Sequence, residues 1–239
     1  MKGATPEGAR GEQEAARWVR AMFGRVAHRY DLANHLLSFH IDRLWRARTV
    51  RRVRPALDRP GARALDLCCG TGDLTLALGP AAIGADFCHP MLVRARGKGA
   101  RRLVEADALQ LPFADASLDL VTAAFGFRNL ANYHDGLAEI RRVLRPGGMA
   151  AILEFSHPPN RAFGALYDFY SRRVLPRIGG ALSGSRDAYA YLPESVRKFP
   201  PPEELAAMMR ASGFARVAWE RMTGGIVTLH TGEASGMKR

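Results

Sequence analysis

Residues 65–73 read LDLCCGTGD, a short apolar run that meets a turn built around Gly70 and Gly72 and carries acids at Asp66 and Asp73. A buried strand that gives way to glycines and then to a helical pattern is how a parallel sheet passes from strand to helix. Working outward from it, the same alternation recurs between Ala62 and Phe155, where RALDL, AIGADF, RLVEAD, LDLVTAAF and MAAILEF are separated by helical patterns. Runs of this length, each followed by a polar or glycine turn, fit strands covered on both faces and joined by crossover helices. The clearest crossover carries Leu137, Ile140, Val143 and Leu144 as its stripe and RPGG (145–148) as its stop. ARVAWERM and GIVTLHTG then finish the sheet as an antiparallel pair. The expected fold is α/β: a doubly wound, seven-stranded, mostly parallel sheet.

The flanks divide the rest of the chain. Residues 1–11 are rich in glycine and charge and read as a flexible tail, and residues 12–239 as one domain. Within it, 12–60 form an N-terminal helical lid, with Val19, Met22, Phe23, Val26 and Tyr30, then Leu36, Leu37, Ile41, Leu44 and Trp45, at helical spacing. Residues 61–155 are the core, 156–200 a helical insertion after strand five, and 201–239 a terminal helix with the last strands. That helix, PPEELAAMMRASGF, is opened by prolines and closed by Gly213. No run approaches the roughly 18 apolar residues of a membrane span, and the first residues lack the apolar core of a signal peptide, so a cytoplasmic protein is expected.

The net charge is +12, and of the 35 basic residues only Lys2, Lys98, Lys198 and Lys238 are lysines. A positive field favours nucleic acid, an anionic membrane surface or an acidic substrate, and charge alone does not choose among them. Cys68, Cys69 and Cys88 have no zinc spacing and the seven histidines are scattered, so no metal site is assigned.

A glycine turn of this kind can hold the pyrophosphate of a dinucleotide, the phosphates of a nucleotide, or the methionine end of S-adenosylmethionine. The dinucleotide pattern wants a third glycine where Thr75 stands, and no GK[ST] follows for a phosphate loop. Asp66 and Asp73 would repel a pyrophosphate, whereas S-adenosylmethionine brings an ammonium and a sulfonium against one carboxylate. Asp86 ends the second strand about 20 residues after Asp66, the spacing of a ribose-binding acid. Asp107, beside small Ala108, stands where a carboxylate can accept from an adenine amino group. Each acid could instead cap the following helix. Asp66, Gly70, Gly72, Asp86 and Asp107, in order at three successive strand ends, favour S-adenosylmethionine.

With these residues in place, the sequence resembles the class I methyltransferases and, more narrowly, the ubiquinone/menaquinone biosynthesis C-methyltransferases of the UbiE type. The specific segments are FGRVAHRYDLANHLLSFHIDRLW (23–45), ALDLCCGTGDLT (64–75), FGFRNL (125–130), RRVLRPGG (141–148), YAYLPESVRKFPPPEELAAMMRASGF (189–214) and TGGIVTLHTG (223–232). The resemblance implies transfer of a methyl group to a ring carbon of a prenylated hydroquinone, demethylmenaquinol becoming menaquinol, with a benzoquinol as the alternative acceptor. It implies cofactor contacts from Thr71, Asp86, Asp107 and Ala108. The chain departs from the family pattern at Ala124, where some relatives carry Ser, and at His40 and Asp42, where Gly and His are usual. A homodimer is left open.

Such a transfer needs an acceptor carbon made nucleophilic by an adjacent phenolate. Arg128 and Asn129, just past the fourth strand, stand at the carboxyl edge where doubly wound sheets present ligands. Arg128 is expected to stabilise the phenolate and Asn129 to orient the ring or a water; the bland alternative makes Arg128 the partner of an acid. Tyr30 is a candidate substrate or catalytic residue, with plain core as its alternative. The stretch FGALYDFYSRRVLPRIGG interleaves aromatics with arginines and suggests peripheral docking at the inner, anionic face of a membrane. An RNA methyltransferase is the rival that the charge suggests. AAFGFRN stands where an NPPY-type motif is wanted, and no catalytic Cys pattern or RNA-binding module is visible, so no nucleic acid is expected. A non-catalytic S-adenosylmethionine-binding protein is another rival, and a small-molecule methyltransferase acting on a different aromatic or a sterol-like lipid is the closest, with the family-specific C-terminal segment as the discriminator.

Overall fold

The computed structural model describes residues 3–6, 8–28, 30–177 and 186–236, and the part of the expected insertion at 178–185 lies outside them. Seven strands, β1 (Ala64–Leu67), β2 (Ile83–Asp86), β3 (Leu103–Glu105), β4 (Leu118–Ala124), β5 (Leu144–Phe155), β6 (Phe214–Met222) and β7 (Val227–Ala234), form one sheet in the order β3-β2-β1-β4-β5-β7-β6. The first five pair in parallel. β7 is antiparallel to both β5 and β6, so the last two strands form the expected hairpin. The helices are α1 (Glu12–Val26), α2 (Tyr30–Leu37), α3 (Ile41–Leu57), α4 (Asp73–Leu78), α5 (His89–Gly97), α6 (Tyr133–Val143), α7 (Arg161–Phe169), α8 (Arg186–Lys198) and α9 (Pro202–Ala211). None of the described helices is long and apolar enough to cross a membrane.

The two-residue period of the strands decides which side chains meet which helices. Leu65 and Leu67 of β1, Val121 and Ala123 of β4, and Ala150 and Ile152 of β5 share one core with Leu137, Ile140 and Val143 of α6 and with Leu205 and Met209 of α9. Their neighbours Ala64, Leu120, Ala151 and Leu153 share the opposite core with Trp45, Val53 and Ala56 of α3 and with Leu74 and Leu78 of α4. α6 begins where the Asn132 side chain accepts from the backbone of His134 and Asp135, the usual service of an N-cap. It ends at Val143, one residue before the expected stripe closes, because Leu144 already belongs to β5. α9 opens with Pro202, and Gly213 follows it at φ 88.

Two expectations change. The helical stripe read continuously through Tyr30 breaks between Val26 and Tyr30, and again between Leu37 and Ile41, giving three lid helices. At the second break Phe39 and His40 have φ of 52° and 60°, in the left-handed region that glycine adopts most readily. His40 therefore occupies, with a side chain, a turn for which the family's usual glycine is the less strained choice. The tail is also less loose than its composition suggests: Ala4 is buried and donates its N–H to Leu130 O at 2.8 Å, and Lys198 Nζ donates to Thr5 O.

Candidate active site

The sheet order reverses between β1 and β4, and in such sheets ligands sit outside the carboxyl ends of the strands at that point. Here the turn after β1 and the turn after β4 touch. A Cβ added to Gly126 would stand 2.3 Å from Cys68 Cβ, so glycine is required for the approach. Against this crevice lies a narrow cavity of about 90 Å³ whose walls include Gly70, Thr71, Asp73, Asp86, Asp107, Ala108, Asn129 and Tyr30.

The turn is built from within. Asp86 Oδ2 accepts from Gly70 N and Oδ1 from Cys88 N, each at 2.8 Å. Burial pushes its carboxyl up to about 6, although the backbone N–H groups of Cys88, Gly70 and Phe87 oppose the shift. A carboxylate oxygen can accept more than one hydrogen bond, so Asp86 retains acceptor capacity toward the cavity. Asp107 stands two residues past β3 rather than at its end, and its Oδ1 accepts from Leu109 N at 2.9 Å, which fixes the turn that brings Ala108 and Leu109 to the cavity wall.

Two of the acids and glycines read together from the sequence do not reach the cavity. Asp66 lies inside β1, is 1% exposed, and accepts from Thr75 Oγ1 at 2.7 Å and Thr122 Oγ1 at 2.9 Å. It brackets β1 to α4 and β4, and burial pushes it up to about 6 despite both hydroxyls. The alternation of β1 explains this: Asp66 points to the α3/α4 side of the sheet, away from the edge. Gly72 caps α4 at φ 83, where an added Cβ would meet Ala95 Cβ at 3.0 Å. Its place is helix packing.

The lid is tied to the turn by charge. Thr71 Oγ1 donates to Asp31 of α2, and Lys98 Nζ bridges Asp31 at 2.9 Å and Asp73. Beside it His35, Asp42 and Asp73 bring ligand-type atoms within 4.8 Å of one another. These atoms are engaged by Ser38, Arg46 and Lys98. Burial raises Asp42, but the Ser38 hydrogen bond and the Arg46 and His35 charges outweigh it and hold the carboxyl below its ordinary value.

A second, larger cavity of about 420 Å³ lies under α1, α2, α3, α7 and α8, walled mainly by apolar side chains such as Trp45, Phe155, Tyr167 and Leu192. Phe23, Tyr30, Arg46 and Phe125 line both cavities. Near this shared wall stands Arg128, 5% exposed, in the short helical turn Phe127–Asn129 that follows β4. Its Nη1 donates to Glu154 Oε1 at 2.8 Å and to Phe125 O, its Nε donates to Ser195 Oγ at 3.3 Å, and its guanidinium carbon lies 5.4 Å from the Phe155 ring centre. Burial alone would lower the Arg128 pKa, but Glu154 together with Tyr30 and Tyr191 outweighs it and raises the group above its ordinary value. Arg128 is thus both the partner of an acid and a wall of the larger cavity. Asn129 Oδ1 accepts from Tyr191 OH at 3.2 Å, and burial pushes that phenol up to about 12.

The structure therefore brings Tyr30, Arg128 and Asn129 to one place and leaves Asp66 and Gly72 behind it. Sequence reasoning missed Glu154, Tyr191 and Lys98. Glu154 did leave a signal, being a lone acid in the buried strand MAAILEF, which demands a partner. The others left none, because their partners are far away in sequence.

This switch-point crevice defines the class I methyltransferase fold. An S-adenosylmethionine-dependent methyltransferase of Thermotoga maritima, a possible histamine N-methyltransferase, shares it at a TM-score of 0.65 and 18% identity, over 90% of this chain and 99% of that one. More narrowly, the model of the ubiE/COQ5 methyltransferase family matches residues 10–234, and the chain belongs to that family. Among curated relatives, the demethylmenaquinone methyltransferase of Thermus thermophilus is 51% identical, covering 89% of this chain and 99% of its own. The ubiquinone/menaquinone biosynthesis C-methyltransferase UbiE of Paracoccus denitrificans is 44% identical, covering 92% of each.

Proposed function

We propose that the chain methylates a ring carbon of a prenylated hydroquinone with S-adenosylmethionine as donor, converting demethylmenaquinol to menaquinol. The observation that carries this reading is the pair of cavities with a common wall: a small acidic one at the glycine turn and a large apolar one behind it. The small cavity suits a cation. Asp73, Asp86 and Asp107 face it, while Phe87, Met91 and Leu109 offer apolar surface for an adenine ring. Gly70, Thr71, Asp86, Asp107 and Ala108 would hold the cofactor, and Ala124 in the wall has no hydroxyl to add. When bound, S-adenosylmethionine supplies an electrophilic methyl group.

The chain's own task is to make the acceptor carbon nucleophilic. The Arg128 cation stabilises a developing phenolate, and a fixed charge in a water-poor site acts more strongly than in solvent. Asn129, held by Tyr191, orients the ring or a water that takes the phenol proton. Tyr30, on the wall common to both cavities, positions the ring between them. The closed lid excludes water, and the apolar cavity accommodates the prenyl tail. Peripheral contact with an anionic membrane surface goes with such a substrate.

The test is methyl transfer from labelled S-adenosylmethionine to short-tailed reduced demethylmenaquinone and, in parallel, to the corresponding benzoquinol precursor. Turnover of the naphthoquinol alone is expected. Turnover of both makes a shared enzyme, and cofactor binding without either turnover refutes the substrate assignment. Arg128→Lys keeps the charge but loses the planar fork; unchanged kcat in a folded variant would remove Arg128 from the mechanism.

A further inference from the structure

The mouth of the large cavity is apolar outside as well as within. Phe39 stands there, in the turn between α2 and α3, with its ring 6.3 Å from that of Tyr170, and it is 73% exposed. Across from it α7 has no buried residue, although it reads RAFGALYDF. Its Phe163 and Tyr167 line the cavity with Tyr170, while Leu166 and Phe169 are exposed. Leu36 and Leu44 are exposed on the helices either side of Phe39. Phe39, Leu166, Phe169, Leu36 and Leu44 are five of the seven large apolar side chains exposed among the described residues, so such exposure concentrates on the segments 36–44 and 166–169. Concentrated apolar exposure marks a surface that is covered in use.

The charge around it selects the cover. Arg43 beside Leu44, and Arg172, Arg173 and Arg177 after Phe169, are all exposed. The acid among them is Asp168, 3.9 Å from Arg172. A second copy of the chain would set these arginines against each other. A nucleic acid would satisfy the arginines and leave the apolar side chains in water. An anionic bilayer surface satisfies both, taking Phe39, Leu166 and Phe169 into the acyl boundary and the arginines among the headgroups.

We infer that the turn at Phe39, α7 and the helical turn that follows it (Tyr170–Val174) form a docking surface for anionic lipid, which sets the mouth of the large cavity onto the acyl layer. Its use for loading a prenyl tail rests on the function proposed above; the docking itself does not.

The experiment is flotation of the full chain with vesicles of phosphatidylglycerol and phosphatidylcholine at low ionic strength. Binding is expected to fall with added salt and with removal of the anionic lipid. Arg43→Gln and Arg173→Gln should each weaken partitioning about fivefold. Leu44→Ser with Phe169→Ser should weaken it at least tenfold. None of these four side chains lines either cavity, so turnover of a water-soluble short-tailed quinol should be unchanged. The proposal is overturned if the unaltered chain ignores anionic vesicles at low salt, if the four substitutions leave binding intact, or if Phe169→Ser instead disperses a dimer. For the unaltered chain, turnover without vesicle binding removes docking alone, and vesicle binding without turnover removes the quinol reading alone.

Discussion

Replacing Glu154 by Gln removes one charge and little volume, and the structure sets the cost. Glu154 is 0% exposed, and its carboxylate accepts from three donors: Arg128 Nη1 at 2.8 Å, Phe155 N at 2.9 Å and Arg128 N at 3.2 Å. Oε1 takes two of these and Oε2 the third. A glutamine amide keeps one acceptor and turns the other position into a donor, so whichever way it flips a donor meets a donor. The Arg128 guanidinium loses its counter-charge while still buried. Breaking a buried pair from one side costs about 3–5 kcal/mol. In a domain of this size each kcal/mol moves Tm by about 2–4 °C, so Glu154→Gln should melt roughly 6–20 °C below the unaltered protein.

Thermal unfolding followed by circular dichroism measures this. The double variant Arg128→Met with Glu154→Met is the informative control, because replacing both partners with apolar groups of similar volume is often close to neutral. The double variant should be more stable than Glu154→Gln, and inactive, since it lacks the cation proposed to stabilise the phenolate. A Glu154→Gln melting point within 2 °C of the unaltered protein would refute the reasoning, as would a double variant whose loss merely adds those of the singles.

Three further outcomes are expected. Asp86 has its carboxyl raised to about 6 by burial, so its contribution to the stability of the free protein is fullest below about 4 and is lost as pH rises through 6. Cofactor binding runs the other way, since a cation and ribose hydroxyls want the carboxylate; affinity measured by calorimetry should fall up to tenfold per unit below pH 6, and Asp86→Asn should flatten the profile while Asp66→Asn should not. Equal affinity at pH 5 and pH 7 would dismiss this role. Gly126→Ala forces its Cβ to 2.3 Å from Cys68 Cβ and should cost about 3 kcal/mol in urea unfolding, whereas Gly70→Ala, at φ 54 with open space around it, should cost only about 1 kcal/mol from backbone strain alone; a Gly126→Ala cost equal to or below that of Gly70→Ala would show that the turns are not in contact. Lys98→Met unties α2 from the glycine turn; with side chains about 30% exposed the stability cost should stay below about 1 kcal/mol. Stopped-flow measurement should nonetheless show cofactor leaving several-fold faster, and an unchanged off-rate would mean that the Asp31–Lys98–Asp73 tie does not hold the lid.

The parts of this molecule that were legible in its sequence are those that repeat at short range. LDLCCGTGD, the five apolar runs and the prolines and glycine around α9 are local signals, and the sheet they imply is the sheet observed, antiparallel pair included, although β3 is a partly exposed edge strand and not a buried one. Side-chain direction at the edge of the sheet is different, because the pleat of β1 and not the order of acids along the chain decides who reaches the ligand. Asp66 and Asp86 look alike as acids near strand ends. One is turned inward onto Thr75 and Thr122, the other braces Gly70 from the cavity wall. Both are raised to about 6 by burial, so a shifted carboxyl alone does not separate bracket from binding residue. The acid partner observed for Arg128 is compatible with the role proposed for it. A guanidinium stays charged even when buried and therefore needs an acid to offset its charge away from water, and Glu154 supplies that from the adjacent strand β5. The ion pair that made a structural role the bland reading is therefore what allows a fixed cation to stand beside an apolar cavity.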